Sequence, residues 1–282
     1  MRIRPLCALA GVIVVALPVT LLADDGPLNP PAGPIASTPG PEPRRELSLT
    51  NTPGDADSFF KITASGSYYL PRAFGFVIGE INGKSGIEVD ADNVTIDLNG
   101  FTFRAINNGL HAIRINPGRA RVTIRNGHIA NWGRGGITGE GASSVIIEGL
   151  TFNTIGIANP PGAPAIVVNS GSIIRDVSIT AVGDGATPQP GVITSNNCIL
   201  ERIAVTASTA GGIVAGSACE LRDCTAWALA GAGIVAGNGS GVSGSSASLC
   251  SAEGISVGEN GRVANCAAND NTGNGIAVGF AG

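Results

Sequence analysis

From Gly191 onward the chain repeats one arrangement of apolar and small residues. Val192, Ile213, Ile234, Ile255 and Ile276 follow at 21-residue intervals, each preceded by glycine: Gly191, Gly212, Gly233, Gly254 and Gly275. Eight residues after each of the first four starts stands Leu200, Leu221, Val242 or Val263, and thirteen after stands Val205, Ala226, Ala247 or Ala268. Three apolar columns per unit predict three short strands. The runs are β-branched, alternate with a period of two and carry no helix caps, which argues against a helical solenoid of similar repeat length. The start can be followed back through Ile166, Ile137, Ile113 and Ile87 at intervals of 26, 29, 24 and 26 residues. The extra residues fall mostly before the glycine.

A unit of three short strands cannot bury a face alone, so like columns must stack on the next unit. The expected fold is all-β, a parallel β-solenoid of about nine coils, which at about 4.8 Å per coil gives a rod on the order of 40 Å long. The recurring glycine is expected at a corner, where a positive φ or a close backbone approach is needed. Ahead of the solenoid, Met1–Ala23 has a positive start, an apolar stretch broken by Pro18 and a small residue before Asp24, as in a secretory signal peptide. A retained anchor is the alternative reading of that stretch. Residues 24–50 read as a Pro-rich extended spacer, 51–85 as an N-terminal cap and 86–282 as the solenoid.

Three runs carry a family resemblance. Gly66-Ser67-Tyr68-Tyr69-Leu70, Gly86-Ile87-Glu88-Val89 and Val94-Thr95-Ile96-Asp97-Leu98-Asn99-Gly100-Phe101 resemble the opening of secreted right-handed parallel β-helix proteins of the pectate-lyase-like superfamily. The resemblance covers about residues 59–282 and implies a right-handed coil. That superfamily spans lyases, hydrolases, epimerases, adhesins and tailspikes, so it fixes no activity. Eight of the twelve aromatics lie between Phe59 and Phe103 and are expected to close the open end of the solenoid, sugar stacking being the alternative.

Composition fits a stack of small residues. Glycine is 42 of 282 residues, charged residues are 13% and aromatics 4%. Low charge with 43% hydrophobic residues argues against disorder. The net charge of -4, without a basic cluster beyond Arg44-Arg45, excludes a nucleic-acid surface. With the signal peptide removed no membrane span is expected, and the chain is placed outside the cytoplasm as secreted, periplasmic or surface-bound.

Enzymes of the superfamily resembled act on acidic polysaccharide laid across one sheet. That chemistry needs clustered carboxylates or an arginine or lysine base beside a calcium-bound uronate. In the strand opening each coil, the residue after the start points outward. Those residues run Glu88, Arg114, Thr138, Val167, Ile193, Val214, Val235, Ser256 and Ala277, and from Val167 onward none can ionise. A catalytic groove along the C-terminal half is therefore excluded. The motifs of polygalacturonases, alginate epimerases and pectate lyases are also missing. Residues 104–111, 131–135, 153–164 and 183–190 leave the coil just before the same strand and are expected to form a wall on one side. Candidate catalytic or anion-binding residues there are Arg114, Arg134 and His111; candidate binding residues are Trp132, Glu88 and Asp184; candidate metal ligands are Asp90 and Glu140, with Ca2+ expected only if the chain is a lyase and otherwise no cofactor. Tolerated surface insertions are the competing explanation. Val167, Ile193, Val214 and Val235 form an apolar stripe, a possible homo-oligomer contact or a seat for a covering segment. Arg125, Arg175, Arg202 and Arg222 recur at a corner beside acids and read as surface ion pairs.

The odd set of Cys198, Cys219, Cys224, Cys250 and Cys266 falls in repeat columns and does not read as a disulfide framework, although Cys198 and Cys219 could bridge in an oxidising compartment. Three functions stay open: a non-catalytic binder of polysaccharide or a surface partner, a uronate-polysaccharide lyase or related enzyme using the N-terminal coils, and a structural or adhesive oligomeric module.

Overall fold

The computed structural model describes residues 44–279 except 78, 107–108, 157–161 and 184–187. The signal peptide, most of the spacer and the candidate Asp184 lie outside the described residues. Within them every regular element is a strand, and every sheet pairing is parallel. Ser58–Ile62, Ser85–Val89, His111–Ile115, Gly135–Gly139, Ile166–Val168, Val192–Thr194, Ile213–Ala215, Ile234–Ala236, Ile255–Val257 and Ile276–Val278 stack in that order as one ten-stranded sheet. We number the coils one to ten by these strands. The protein is thus a parallel β-solenoid of about nine turns. Phe60 pairs with Ile87 as Ile87 pairs with Ile113, so a rung built on Phe60 precedes the aliphatic column.

The other two sides of each coil form a fifteen-stranded sheet. Its long strands Val122–Trp132, Ile146–Ile155, Ile173–Val182 and Ile199–Ser208 turn a corner without breaking. A left-handed residue makes the first corner, Asn126 (φ 58°), Gly149 (φ 61°), Asp176 (φ 55°) or Arg202 (φ 51°), and a second stands five residues on, Asn131, Thr154, Ala181 or Ala207. Asn and Asp tolerate this conformation because their short side chains bond the local backbone. In coil seven the same path is cut into Glu220–Arg222 and Thr225–Trp227 around Asp223 (φ 53°).

The glycine before each start has a different task. A Cβ on Gly212 would sit 2.4 Å from Gly233 O and 2.8 Å from Leu229 Cδ1; one on Gly233 would sit 2.5 Å from Gly254 O and 2.7 Å from Ala247 Cβ. Close approach between coils, rather than a left-handed φ, selects glycine in that column.

One expectation changes at the N-terminal side. Arg45–Glu46, expected in the spacer, is an edge strand paired with Tyr68 and Tyr69, and Leu47 beside it is buried. Docking is held by Arg44, whose guanidinium lies 3.3 Å from Asp97 Oδ2 and 5.1 Å from the Tyr69 ring centre. Inside coils one to four, Phe59, Phe60, Phe74, Phe76, Phe103 and Trp132 form one ring cluster with centres 4.8 to 6.1 Å apart. Edge-to-face and offset contacts of this kind add to the area buried.

Candidate functional site

Parallel in-register pairing turns the outward position of the ten-stranded sheet into a ladder. Lys61 lies beside Glu88, Glu88 beside Arg114, Arg114 beside Thr138 and Thr138 beside Val167, followed by Ile193, Val214, Val235, Ser256 and Ala277. The sequence-derived ladder is therefore present, with Lys61 added at its head. Its character switches from charged to apolar between Arg114 and Val167. Val167, Ile193, Val214 and Val235 are each half-buried by their neighbours.

Glu88 is the centre of the charged end. Its Oε1 lies 3.1 Å from Lys61 Nζ and accepts a 2.7 Å bond from Asn116 Nδ2, and its Oε2 lies 3.0 Å from Arg114 Nη2. The same two cations reach outward, Lys61 Nζ to Asp55 Oδ2 at 2.7 Å and Arg114 Nη2 to Asp57 Oδ2 at 2.6 Å. Burial would raise the Glu88 pKa, but the bonds from Asn116, Lys61 and Arg114 together outweigh it and bring it below the carboxylate norm. Burial likewise pulls Arg114 down, and its bonds to Asp57 and Glu88 overcome this and raise it. Arg114 is thus a fixed cation and a poor proton acceptor.

Asp55, Asp57 and Glu88 bring carboxylate oxygens within 4.8 Å of one another, the spacing of a cation site. Lys61 and Arg114 already pair with all three, and a calcium ion would need six to eight oxygens in place of those cations. These residues do not fit a metal. Nor do the two acids the sequence suggested. Asp90 follows the coil-two strand and Glu140 the coil-four strand, with coil three between, so they stand about 9–10 Å apart along the stack at the usual strand spacing. Asp90 is paired instead with Arg119 at 3.1 Å.

Beside the network, coils two to four enclose a cleft of about 280 Å3 lined by Ser85, His111, Arg114, Asn116, Arg134 and Glu140 among others. The excursions thus bring together His111, Arg114, Arg134 and Glu140, with Glu88 adjoining through Arg114. Trp132 is the contrary case. The sequence placed it in the wall of this site, but it ends the inward-facing run of Val122–Trp132 and is fully buried. Its ring stacks on Phe103 at 5.3 Å, and its Nε1 donates to Phe103 O at 3.2 Å. Trp132 is core and cannot stack on a ligand.

His111 is held neutral. Burial lowers its pKa most, and the charges of Arg134 and Arg114 add to that, bringing it to about 4. Its Nδ1 has no hydrogen-bond partner, and neither do Ser85 Oγ and Arg114 Nε, all buried. Arg134 is exposed and makes no ion pair within 4 Å among the described residues, although Glu140 lines the same cleft. Sequence reasoning missed Ser85, Lys61, Asp55, Asp57 and Asn116. Only the Phe59-Phe60-Lys61-Ile62 alternation could have exposed the first rung that carries three of them.

A second cleft, of about 510 Å3, opens at the N-terminal side between Leu47, Leu49, Phe59, Phe60, Pro71, Arg72 and Phe74. It is mainly apolar. Along the other sheet the corner arginines pair with acids of neighbouring coils: Arg175 with Glu148, Arg202 with Asp176 at 2.6 Å and Arg222 with Glu201 at 3.2 Å. All are exposed or half-exposed, which makes them solvated ladder pairs of small individual value. Cys198 and Cys219, adjacent in one buried column, are free thiols, as are Cys224, Cys250 and Cys266.

Comparison with known proteins supports the architecture alone. No family model matches the chain, and no curated protein matches it. Among solved structures, the Dettilon tailspike protein superposes with a TM-score of 0.53 over 79% of this chain and 50% of its own, at 10% identity. The chain spans about half the length of that structure, and at this identity what the two share is a β-helical fold.

Proposed function

We propose that the protein is a secreted or cell-surface β-solenoid that binds polysaccharide, or a polysaccharide-bearing surface, along the outer face of its ten-stranded sheet without cleaving it. The observation that carries this reading is the cleft of coils two to four, where the excursions gather His111, Arg114, Arg134 and Glu140 above a rigid scaffold. The ladder continues from it into half-buried aliphatics, a surface on which an extended chain could lie across successive coils. Fold kinship with a tailspike is compatible with a surface role.

Binding is favoured over lyase chemistry because two of the three candidate bases, Arg114 and His111, do not suit proton abstraction. Arg114 is raised and clamped by two acids, and His111, at about 4, is too weak a base to be matched to neutral pH. Asp57 and Glu88 are already paired with Arg114. Wild-type protein should retain acidic or neutral polysaccharides on a glycan surface, with weaker retention for Arg134→Ala and no unsaturated products from pectate or alginate with calcium. Failure to retain any polysaccharide would overturn the binding reading, and product formation would replace it with the lyase.

A second reading rests on the stripe Val167, Ile193, Val214 and Val235, in register over four coils. An aligned aliphatic ladder of that length suits packing against a second copy of the chain. Sedimentation should then show an oligomer that Ile193→Lys dissociates; a monomeric wild type would remove this reading.

A further inference from the structure

Resting on the binding reading above, we propose that the cleft of coils two to four contains a site for one singly charged oxyanion, the carboxylate, sulfate-ester or phosphate-ester group of a ligand, held by Ser85, His111, Arg114 and Arg134. Five buried side-chain polar atoms among the described residues lack a hydrogen-bond partner: Ser85 Oγ, Glu88 Oε2, His111 Nδ1, Arg114 Nε and Thr194 Oγ1. Thr194 is remote, and Glu88 Oε2 already has its charge partner in Arg114 Nη2. The other three belong to residues lining this one cleft. Buried polar groups are otherwise almost always satisfied, so three orphans around one opening point to a missing partner.

The chemistry of the orphans sets the sign of that partner. Arg114 Nε carries a hydrogen and can only donate. Ser85 Oγ can donate, and neutral His111 can place its ring proton on Nδ1. Three groups able to donate, on residues of one lining, call for an acceptor. Ser85 is fully buried, so bulk water does not serve its hydroxyl.

Space is reserved for the partner by glycine. Ser58, Ser85, His111 and Gly135 occupy successive coils of the ten-stranded sheet, with Ser58 beside Ser85 and His111 beside Gly135. A Cβ on Gly135 would meet His111 Nδ1 at 2.7 Å, so any larger residue would close the approach to that nitrogen. Charge limits the partner to a single negative unit. Arg114 is paired with Asp57 and Glu88, whereas Arg134 makes no ion pair within 4 Å among the described residues and is left to meet a negative group, while Glu140 in the same cleft opposes a second negative charge. An oxyanion there would offset the two arginine charges that face His111, the effect that now helps hold its pKa at about 4.

The chain has only two histidines, His111 and His128, so ring NMR signals can be assigned by one substitution. The full chain is titrated with acetate, methyl sulfate and dimethyl phosphate, each carrying one negative charge, and separately with galacturonate, glucose 6-sulfate and the methyl diester of glucose 6-phosphate. At least one anion should shift His111 saturably and raise its pKa while leaving His128 unmoved, and the three sugars identify which group the site prefers. Arg134→Gln should weaken that anion about tenfold, the value of one charged hydrogen-bonding partner, and Gly135→Ala should abolish it, with both variants keeping the wild-type circular dichroism and melting curve. No saturable shift with any of the three anions overturns the site, as does an affinity unchanged in Arg134→Gln. If small anions bind and no polysaccharide does, the oxyanion site stands and the polysaccharide reading falls. If polysaccharide binds equally well to wild type, Arg134→Gln and Gly135→Ala, the reverse holds.

Discussion

Coils one to four and coils six to nine solve the same packing problem with different materials. The first set fills its interior with large rings, Phe60, Phe76, Phe103 and Trp132, and carries ion pairs on the outer face of its ten-stranded sheet. The second fills it with Ala226, Ala247, Val205 and the thiols of Cys198, Cys219 and Cys224, and leaves an aliphatic stripe outside. Both keep the same backbone, because parallel in-register pairing satisfies the peptide groups whatever the side chains. What differs is tolerance. Regular small columns lock neighbouring coils at close distance and leave no room for a loop, whereas the wider, ring-filled coils accept excursions, and excursions make a cleft.

The sharpest way to break the comparison is to exchange what the two tryptophans do. Trp132→Ala removes a fully buried ring from the aromatic cluster and should cost about 4 kcal/mol, the usual range for a large buried aromatic. Trp227, on the outer side of coil seven, is 49% exposed, and Trp227→Ala should change stability by no more than about 0.5 kcal/mol. Chemical denaturation of both variants tests this. Equal losses would show that the two halves do not differ in how they are filled.

Gly233→Val probes the small-residue half. Its side chain would have to displace Gly254 O and Ala247 Cβ, both backbone-bound and unable to move away, so about 3 kcal/mol should be lost. Hydrogen exchange should place the damage in coils seven to nine and spare coils one to four. A uniform loss of protection would mean that the solenoid unfolds as one unit and that the two halves are not separable energetically.

These two substitutions also show what could be read from the sequence. The period, the inward columns and the ladder down to Ala277 were legible because each depends only on spacing, and stacking in register preserves spacing. The glycine column was legible but its cause was half open: Gly212 and Gly233 are there for contact, and left-handed corners went to Asn126, Asp176 and Arg202, whose identity gives little sign of it. Trp132 was misplaced for a related reason. It stands one residue after a left-handed corner at Asn131, in what looks like a loop, and only the turn at that corner shows that it points inward. The site was legible as a neighbourhood but not as a set of contacts. Arg114, Arg134, His111 and Glu140 do line one cleft, yet Ser85 beside them and the network of Asp55, Asp57 and Lys61 around Glu88 and Arg114 come from positions before the first aliphatic start, where Phe60 replaces the expected isoleucine.

Acid should separate the halves more gently. His111 is neutral in the fold with a pKa of about 4 against an ordinary 6.5, so the unfolded chain gains a proton first and stability declines as pH falls from about 6.5 to 4. Glu88 and Asp55 are both held below their ordinary values, Asp55 chiefly by Lys61. Their contribution is present above about pH 4.5 and is lost as pH falls further. All three groups lie in coils one to three, while Asp176 among the later coils is exposed and its pair with Arg202 is screened by water. Amide exchange measured down to pH 4 should therefore rise first in the N-terminal coils. A loss that begins in coils six to nine would contradict the placement of the titrating network.

The smallest expected effect lies in the buried column Ser172, Cys198, Cys219 and Ser240, where serine and cysteine alternate in one role. Cys219 Sγ accepts from Cys198 N at 3.4 Å and lies 3.3 Å from Ser195 O; one coil on, Ser240 Oγ accepts from Cys219 N at 3.0 Å and donates to Gly216 O at 3.1 Å. Cys219→Ser keeps this pattern and should cost less than about 1 kcal/mol. The neighbouring Cys198 thiol holds Cys219 below the ordinary thiol value, which on acidity alone would favour it for reaction. Burial decides otherwise: Cys219 is fully covered, whereas Cys266 is half-buried near the last coil. A neutral alkylating reagent should therefore modify Cys266 first and reach Cys219 only at the rate at which its coil opens. Labelling of Cys219 ahead of Cys266 would show that the small-residue half opens from its middle, and the contrast between a locked half and a tolerant half would have to be abandoned.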